Sequence, residues 1–160
     1  MKYQPRKQFM DAAIEDVKIH ASLNEGGPFG ACIVKDGDII SIAHNTVLKD
    51  HDPTKHAEIN AIIKASQRLK NHDLSGCVIY STTEPCPMCF SAIHWANIDH
   101  IIYGTDISDV KKLGFNELDI SNEMMKNLGK SSLTINRDFE KEACQALLNY
   151  WASHSNKEIY

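Results

Sequence analysis

The stretch that decides the fold is residues 77–104, CVIYSTTEPCPMCFSAIHWANIDHIIYG. Cys77 to Ser81 is a short apolar run that reads as a buried strand. Pro87 to Ala96 reads as a helix that brings the small residues Cys89, Ala92 and Ala96 to one side, and His100 to Gly104 reads as the next strand. Upstream, Ile59, Ile62, Ile63 and Ser66 follow helical periodicity from a start near Asp52-Pro53-Thr54. Asp or Thr caps such a start and Pro suits its first turn, so His56 is expected within that turn. Gly30 to Lys35 and Ile39 to Asn45 flank Asp36-Gly37-Asp38 and read as a hairpin, with Gly37 supplying the tight turn. Met10, Ala13, Ile14, Val17 and Ala21 recur at helical spacing and predict a leading amphipathic helix, ended by Gly26-Gly27-Pro28.

The resulting β-α-β-α-β order favours parallel strands in that half of the sheet, and the hairpin adds antiparallel ones. The expected fold class is therefore α/β, with helices on both faces of a mixed sheet. Beyond Gly104 the pattern weakens. Asp106 to Gly129 is polar with little periodicity, Leu133 to Asn136 reads as a last short strand, and Phe139 to Ala152 as a final amphipathic helix.

A chain of 160 residues suits one compact domain, 1–160. Apolar residues make up 42% and charged residues 24%, the balance of an ordinary globular protein and not of a disordered one. The net charge of -4 argues against a strongly electropositive surface and so against a nucleic-acid partner. No run approaches a membrane span and none has the shape of a signal peptide, which points to a cytoplasmic protein. Five cysteines cannot close a disulfide framework within the chain. Cys32, Cys77 and Cys144 lie in apolar surroundings and read as buried thiols. Cys86-Pro87-Met88-Cys89 reads as metal-site usage.

Catalytic zinc takes three protein ligands and leaves one position for water. His56, Cys86 and Cys89 supply that count. Two cysteines three apart in a first helical turn put both sulfurs on one side, and a helix start favours thiolates. Glu58 follows His56 by two residues, so both reach one site only if their helix faces it end-on. A carboxylate there can take a proton from an acidified water and deliver it to a leaving amine. A C-x-x-C pair alone also fits a redox couple or half of a structural zinc site. A structural site needs four protein ligands, and no second C-x-x-C or H-x-x-x-H stands in the chain; a redox couple leaves His56 and Glu58 without a task.

His56-Ala57-Glu58, followed by Pro85-Cys86-Pro87-Met88-Cys89, resembles the cytidine/deoxycytidylate deaminase superfamily, whose zinc signature is H-x-E with P-C-x-x-C. The resemblance covers most of the chain. It implies a three-layer α/β/α sandwich with one catalytic Zn2+ held between two helix N-termini by His56, Cys86 and Cys89, and Glu58 as proton carrier. His at position 56 and the short Asn71–Ser75 connection point away from the cytidine and deoxycytidylate branches, leaving guanine deaminases and tRNA adenosine deaminases.

Gly27-Pro28-Phe29-Gly30-Ala31, Gly114-Phe115-Asn116-Glu117 and the tail Lys157-Glu158-Ile159-Tyr160 resemble bacterial guanine deaminases. That branch implies hydrolysis of guanine to xanthine and ammonia, with Glu117 as a second catalytic acid. It implies Asn45 and Tyr160 at the purine; Phe29, Trp95 and Phe115 are candidates to pack around the flat base, Trp95 at the end of the metal helix foremost, and Ala57 is a further expected substrate contact. It also implies a homodimer in which the tail, about 139–160, is exchanged and its last aromatic covers the partner's site. The remaining histidines, His20, His44, His51, His72, His94, His100 and His154, show no spacing that suggests a second metal.

Overall fold

The leading helix α1 (Lys7–His20) turns Phe9, Met10, Ala13, Ile14 and Val17 inward, the periodicity its sequence carries. This computed structural model describes residues 3–154 and 157–160. Helix α1 ends six residues before the Gly26-Gly27-Pro28 cluster, passing through a 3₁₀ turn (Ala21–Leu23) to Asn24 at φ 48°. Strands β1 (Gly30–Lys35) and β2 (Asp38–His44) form the expected hairpin. Its two turn residues, Asp36 and Gly37, both have positive φ (52° and 89°), the turn whose twist matches its flanking strands.

A short helix α2 (Val47–Asp50), absent from the sequence reading, precedes α3 (Ala57–Leu69). The expected helix start near Asp52-Pro53-Thr54 is corrected: Asp52 accepts from the Thr54 N–H at 2.8 Å and closes a local turn instead. The helix begins at Ala57, and His56 is its extended N-cap. Strand β3 (Cys77–Thr83), helix α4 (Pro87–Trp95) and strand β4 (His100–Thr105) follow as read, with Pro87 at the first helical position.

The Asp106–Gly129 segment, read as irregular, contains α5 (Ile107–Lys111) and α6 (Asn122–Gly129). Both are too short for periodicity to reveal, but both are capped. Asp106 and Asp109 form a reciprocal capping box, and Ser121 accepts from the Met124 N–H. Strand β5 (Thr134–Asn136) and helix α7 (Lys141–Ala152) complete the chain.

The sheet order is β2-β1-β3-β4-β5, antiparallel at β2/β1 and β1/β3 and parallel at β3/β4 and β4/β5, so it is mixed as expected. Alternate residues divide the core into two layers. Ala31, Ile33, Ile79, Ile101 and Tyr103 pack with Ala57, Ala61 and Ala65 of α3 and Phe90 and Ile93 of α4. Cys32, Val34, Val78, Tyr80 and Ile102 face α1 and α7. The α/β/α sandwich is thus built with α3 and α4 sharing one face. The buried thiols Cys32, Cys77 and Cys144 lie within these two layers. Among the described residues, no helix is long and apolar enough to cross a membrane.

Candidate active site

Helices α3 and α4 both present their N-termini to one point, because each follows a strand or loop that delivers its N-cap there. The α3 N-cap is His56 and the α4 N-cap is Cys86, with Cys89 one turn further in. His56 Nδ1 lies 3.6 Å from Cys86 Sγ and 3.6 Å from Cys89 Sγ. A tetrahedral zinc with Zn–N of about 2.0–2.1 Å and Zn–S of about 2.3 Å requires N and S ligands roughly 3.5 Å apart. The three side chains therefore fit the ion as they stand. The thiol of Cys86 is held down, to about 4, first by the hydrogen bond from Cys89 and then by His56, against its burial. That favours the thiolate, the ligating form.

Glu58 lies in the first turn of α3 and is 5% exposed. The end-on approach of the helix resolves the two-residue spacing: His56 sits outside the helix and Glu58 just inside it, and both face the same cleft. Glu58 Oε2 is 3.4 Å from Cys89 Sγ, and Glu58 Oε1 accepts from the Ser81 hydroxyl at 2.9 Å. Burial pushes its carboxyl above the usual range, with the Cys86 thiolate adding to the rise.

The cleft, of about 290 Å³, is walled by Phe29, Pro53, Pro87, Met88, Phe115 and Leu118, and carries His56, Glu58, Cys86 and Glu117. Apolar walls around a few convergent polar groups are the usual form of a small-molecule site. Glu117 is half-buried there, and burial, followed by repulsion from the Cys86 thiolate, raises its carboxyl to about 7. Phe29 meets Phe115 edge-on with ring centres 5.2 Å apart. Tyr160 packs edge-on against Phe115 at 5.4 Å and closes one side. Its hydroxyl donates to Asn45 Oδ1 at 2.6 Å and accepts from the Gly27 N–H at 3.0 Å.

The other expected purine contacts are placed differently. Ala57 is fully buried in the α3 packing layer and does not line the cleft. Asn45 is buried behind Tyr160, with Oδ1 also accepting from the Val47 N–H, and Nδ2 has no hydrogen-bond partner among the described residues. Gly26 is required beside it, because a Cβ there would collide with the Asn45 side chain and carbonyl. The reading of Trp95 as an aromatic contact is corrected. It lies at the last position of α4, two turns from the metal ligands, and its indole is 82% exposed and outside the cleft lining.

Three groups were missed in the sequence. Ser81 bonds Glu58 directly. Glu84, 7% exposed, accepts from the Asn122 N–H at 2.8 Å and the Ile107 N–H at 3.2 Å, tying the Pro85-Cys86 loop to the starts of α5 and α6. The segment between those helix starts carries Phe115 and Glu117. The third is a cluster of Asp16, His20 and His44. The i,i+4 spacing of Asp16 and His20 was a visible signal, but His44 joins them only through the tertiary fold. Both His44 nitrogens meet carboxylates, Nδ1 to Asp16 at 2.7 Å and Nε2 to Glu25 at 2.6 Å. The His20 and His44 rings stack at 4.0 Å with planes 21° apart, so their lone pairs do not converge on one ion. This is a charged clamp between α1 and the loop leading to the cleft.

Residues 3–105 match the family described as "Cytidine and deoxycytidylate deaminase zinc-binding region". A guanine deaminase of Bacillus subtilis (strain 168) is 38% identical over 137 residues, 84% of this chain and 86% of that protein. A tRNA-specific adenosine deaminase of Aquifex aeolicus is 43% identical over 98 residues, 61% of this chain and 64% of that protein. Among solved structures, a guanine deaminase from Nitrosomonas europaea superposes with a TM-score of 0.85 at 27% identity, over 96% of this chain and 88% of that one. A metal-ligand triad at two helix N-termini, a buried glutamate beside it and a sequence match across more than half its length place this chain in the cytidine and deoxycytidylate deaminase zinc-binding family.

Proposed function

We propose that the protein hydrolyses the 2-amino group of guanine, giving xanthine and ammonia. The observation that carries this reading is the pair of carboxyls, Glu58 and Glu117, facing one apolar-walled cleft beside the His56-Cys86-Cys89 set. His56, Cys86 and Cys89 would hold a zinc ion, which would supply the Lewis acidity that makes a water nucleophilic near neutral pH. Glu58 accepts the water proton and passes it toward the ring and the departing amine. Guanine offers N1–H and a 2-amino group as donors, and Glu117 supplies an acceptor for them. With its carboxyl at about 7, Glu117 holds or releases a proton near neutrality, as assistance at the amino group requires.

Phe29 and Phe115 pack the flat base, and Tyr160 covers it and excludes water. The orphaned Asn45 Nδ2 is a donor left for a base acceptor. The reading extends to a cytoplasmic homodimer of this single-domain chain with the tail, about 139–160, exchanged; the contacts that Tyr160 makes here within one chain would then be made across the dimer. Light scattering of the purified protein tests the dimer.

Ammonia release from guanine, adenine, cytosine, their nucleosides and a tRNA anticodon stem tests the substrate. Guanine is expected to be turned over, and its absence among the substrates overturns the proposal. Glu117→Gln is expected to lower guanine turnover while zinc stays bound. The tRNA adenosine reading has the similarity to the Aquifex relative in its favour; against it, Tyr160 closes the cleft to a base carried on a folded stem.

A further inference from the structure

Ser81 stands in β3 on the face that packs against α3 and α4, in line with Cys77 and Ile79. Its cross-strand neighbours on that face are Ala31 and Tyr103. A hydroxyl in such a layer, 2% exposed, is costly unless it is hydrogen-bonded. Ser81 Oγ is 2.9 Å from Glu58 Oε1 and 2.6 Å from the Thr83 carbonyl. The hydroxyl has one hydrogen, which the two acceptors share. The carbonyl anchors Oγ in one orientation, and the carboxylate is held against it.

We propose that Ser81 is a positioning residue for Glu58. By engaging Oε1 it turns Oε2 toward Cys89 Sγ, 3.4 Å away, and so makes Oε2 the oxygen that faces the metal ligands and moves the proton. The inference rests on the reading of Glu58 as the proton carrier. It adds which oxygen does the work and which side chain aims it. A carboxylate freed from Ser81 rotates about its last side-chain torsion, a broad and roughly two-fold one, and loses the fixed direction that proton transfer needs.

The test uses the zinc-loaded, full-length protein and guanine, with Ser81→Ala, Ser81→Val, Ser81→Thr and Glu58→Gln. Thr and Val have the same shape and differ by the hydroxyl, so the pair separates the hydrogen bond from packing. Ser81→Ala and Ser81→Val are expected to lower kcat about 10- to 100-fold, with KM within about twofold and one zinc retained per chain. Ser81→Thr is expected to restore kcat to within about threefold. Crystal structures should show the Glu58 carboxylate rotated away from Cys89 in the Ala and Val variants and in place in the Thr variant. Adding Ser81→Ala to Glu58→Gln should cost nothing further, because Ser81 acts through Glu58.

A kcat within about twofold of the parent in both Ser81→Ala and Ser81→Val overturns the proposal. So does an equal fall in Ser81→Thr, or loss of zinc in all three, either of which makes Ser81 a packing residue. Near-normal turnover by Glu58→Gln sinks instead the reading of Glu58 itself. Inactive Glu58→Gln beside normal Ser81 variants sinks only the assignment of Ser81.

Discussion

Replacing His44 by alanine tests whether the clamp behind the cleft is held by charge. His44, on β2, bonds Asp16 of α1 at 2.7 Å and Glu25 at 2.6 Å. His20 stacks on its ring, Lys49 of α2 bonds Glu25 at 2.8 Å, and the charge of Lys64 of α3 reaches Asp16. Burial pulls the His44 imidazole down, but the bonds to Asp16 and Glu25 outweigh it and the net shift is upward. For each of the two carboxyls burial acts upward and is outweighed, so both lie below their usual range.

Two charge-assisted hydrogen bonds contribute about 1.5–3 kcal/mol each where buried, and partial solvent access reduces the pair to about 2–3 kcal/mol. A raised imidazole contributes fully below its unfolded value of 6.5 and loses that contribution as pH rises through its raised value. The lowered carboxyls contribute above their unfolded values of 3.8 and 4.5 and lose it as pH falls through their lowered ones. In urea melts from pH 5 to 9, His44→Ala should therefore be less stable by about 2–3 kcal/mol near pH 6, with the gap narrowing as pH rises. A gap below about 0.5 kcal/mol at pH 6, or one that widens toward pH 9, refutes the clamp.

Glu58→Gln should keep one zinc per chain by elemental analysis and lower kcat on guanine by at least about 10². Cys86→Ala should lose zinc in the same analysis, and dialysis of the parent against a chelator should lower its Tm reversibly, since an ion bound only by the folded state stabilises it. Tyr160→Ala should raise KM for guanine about tenfold, roughly 1.4 kcal/mol of binding, because the ring that covers the base beside Phe115 is lost, measured by steady-state kinetics. Ile79→Ala, in a fully buried central-strand position, should cost about 2–5 kcal/mol in a urea melt, with zinc stoichiometry unchanged.

The chemistry of this protein and the core of its fold are written locally. Hydrophobic runs at Cys77–Ser81 and His100–Gly104 and the helical spacing between them declare the β-α-β unit, because burial on one sheet or helix face imposes a period that a short window can read. His56, Glu58, Cys86 and Cys89 are legible for a related reason: zinc demands particular donor types, and the helix starts that hold them carry their own marks in Pro87 and the C-x-x-C spacing. Short capped helices such as α5 and α6 carry too little period to be seen, and His56 took the N-cap itself because Asp52 spent its carboxylate on a local turn.

What the tertiary structure decided is what faces what. Trp95 ends the helix that begins at the metal cysteines yet points to solvent, since it lies six and nine residues from them, on other faces of α4, and the end of that helix lies beyond the cleft. Ser81 looks like one hydroxyl in a strand until β3 and α3 bring it 2.9 Å from Glu58. His44 meets Asp16 and Glu25, and Asn45 meets Tyr160 across 115 residues, only when α1, the hairpin and the tail are packed together. Residue type and spacing determine which groups can do the chemistry; the direction each side chain takes depends on contacts between segments remote in sequence, and no local pattern contains them.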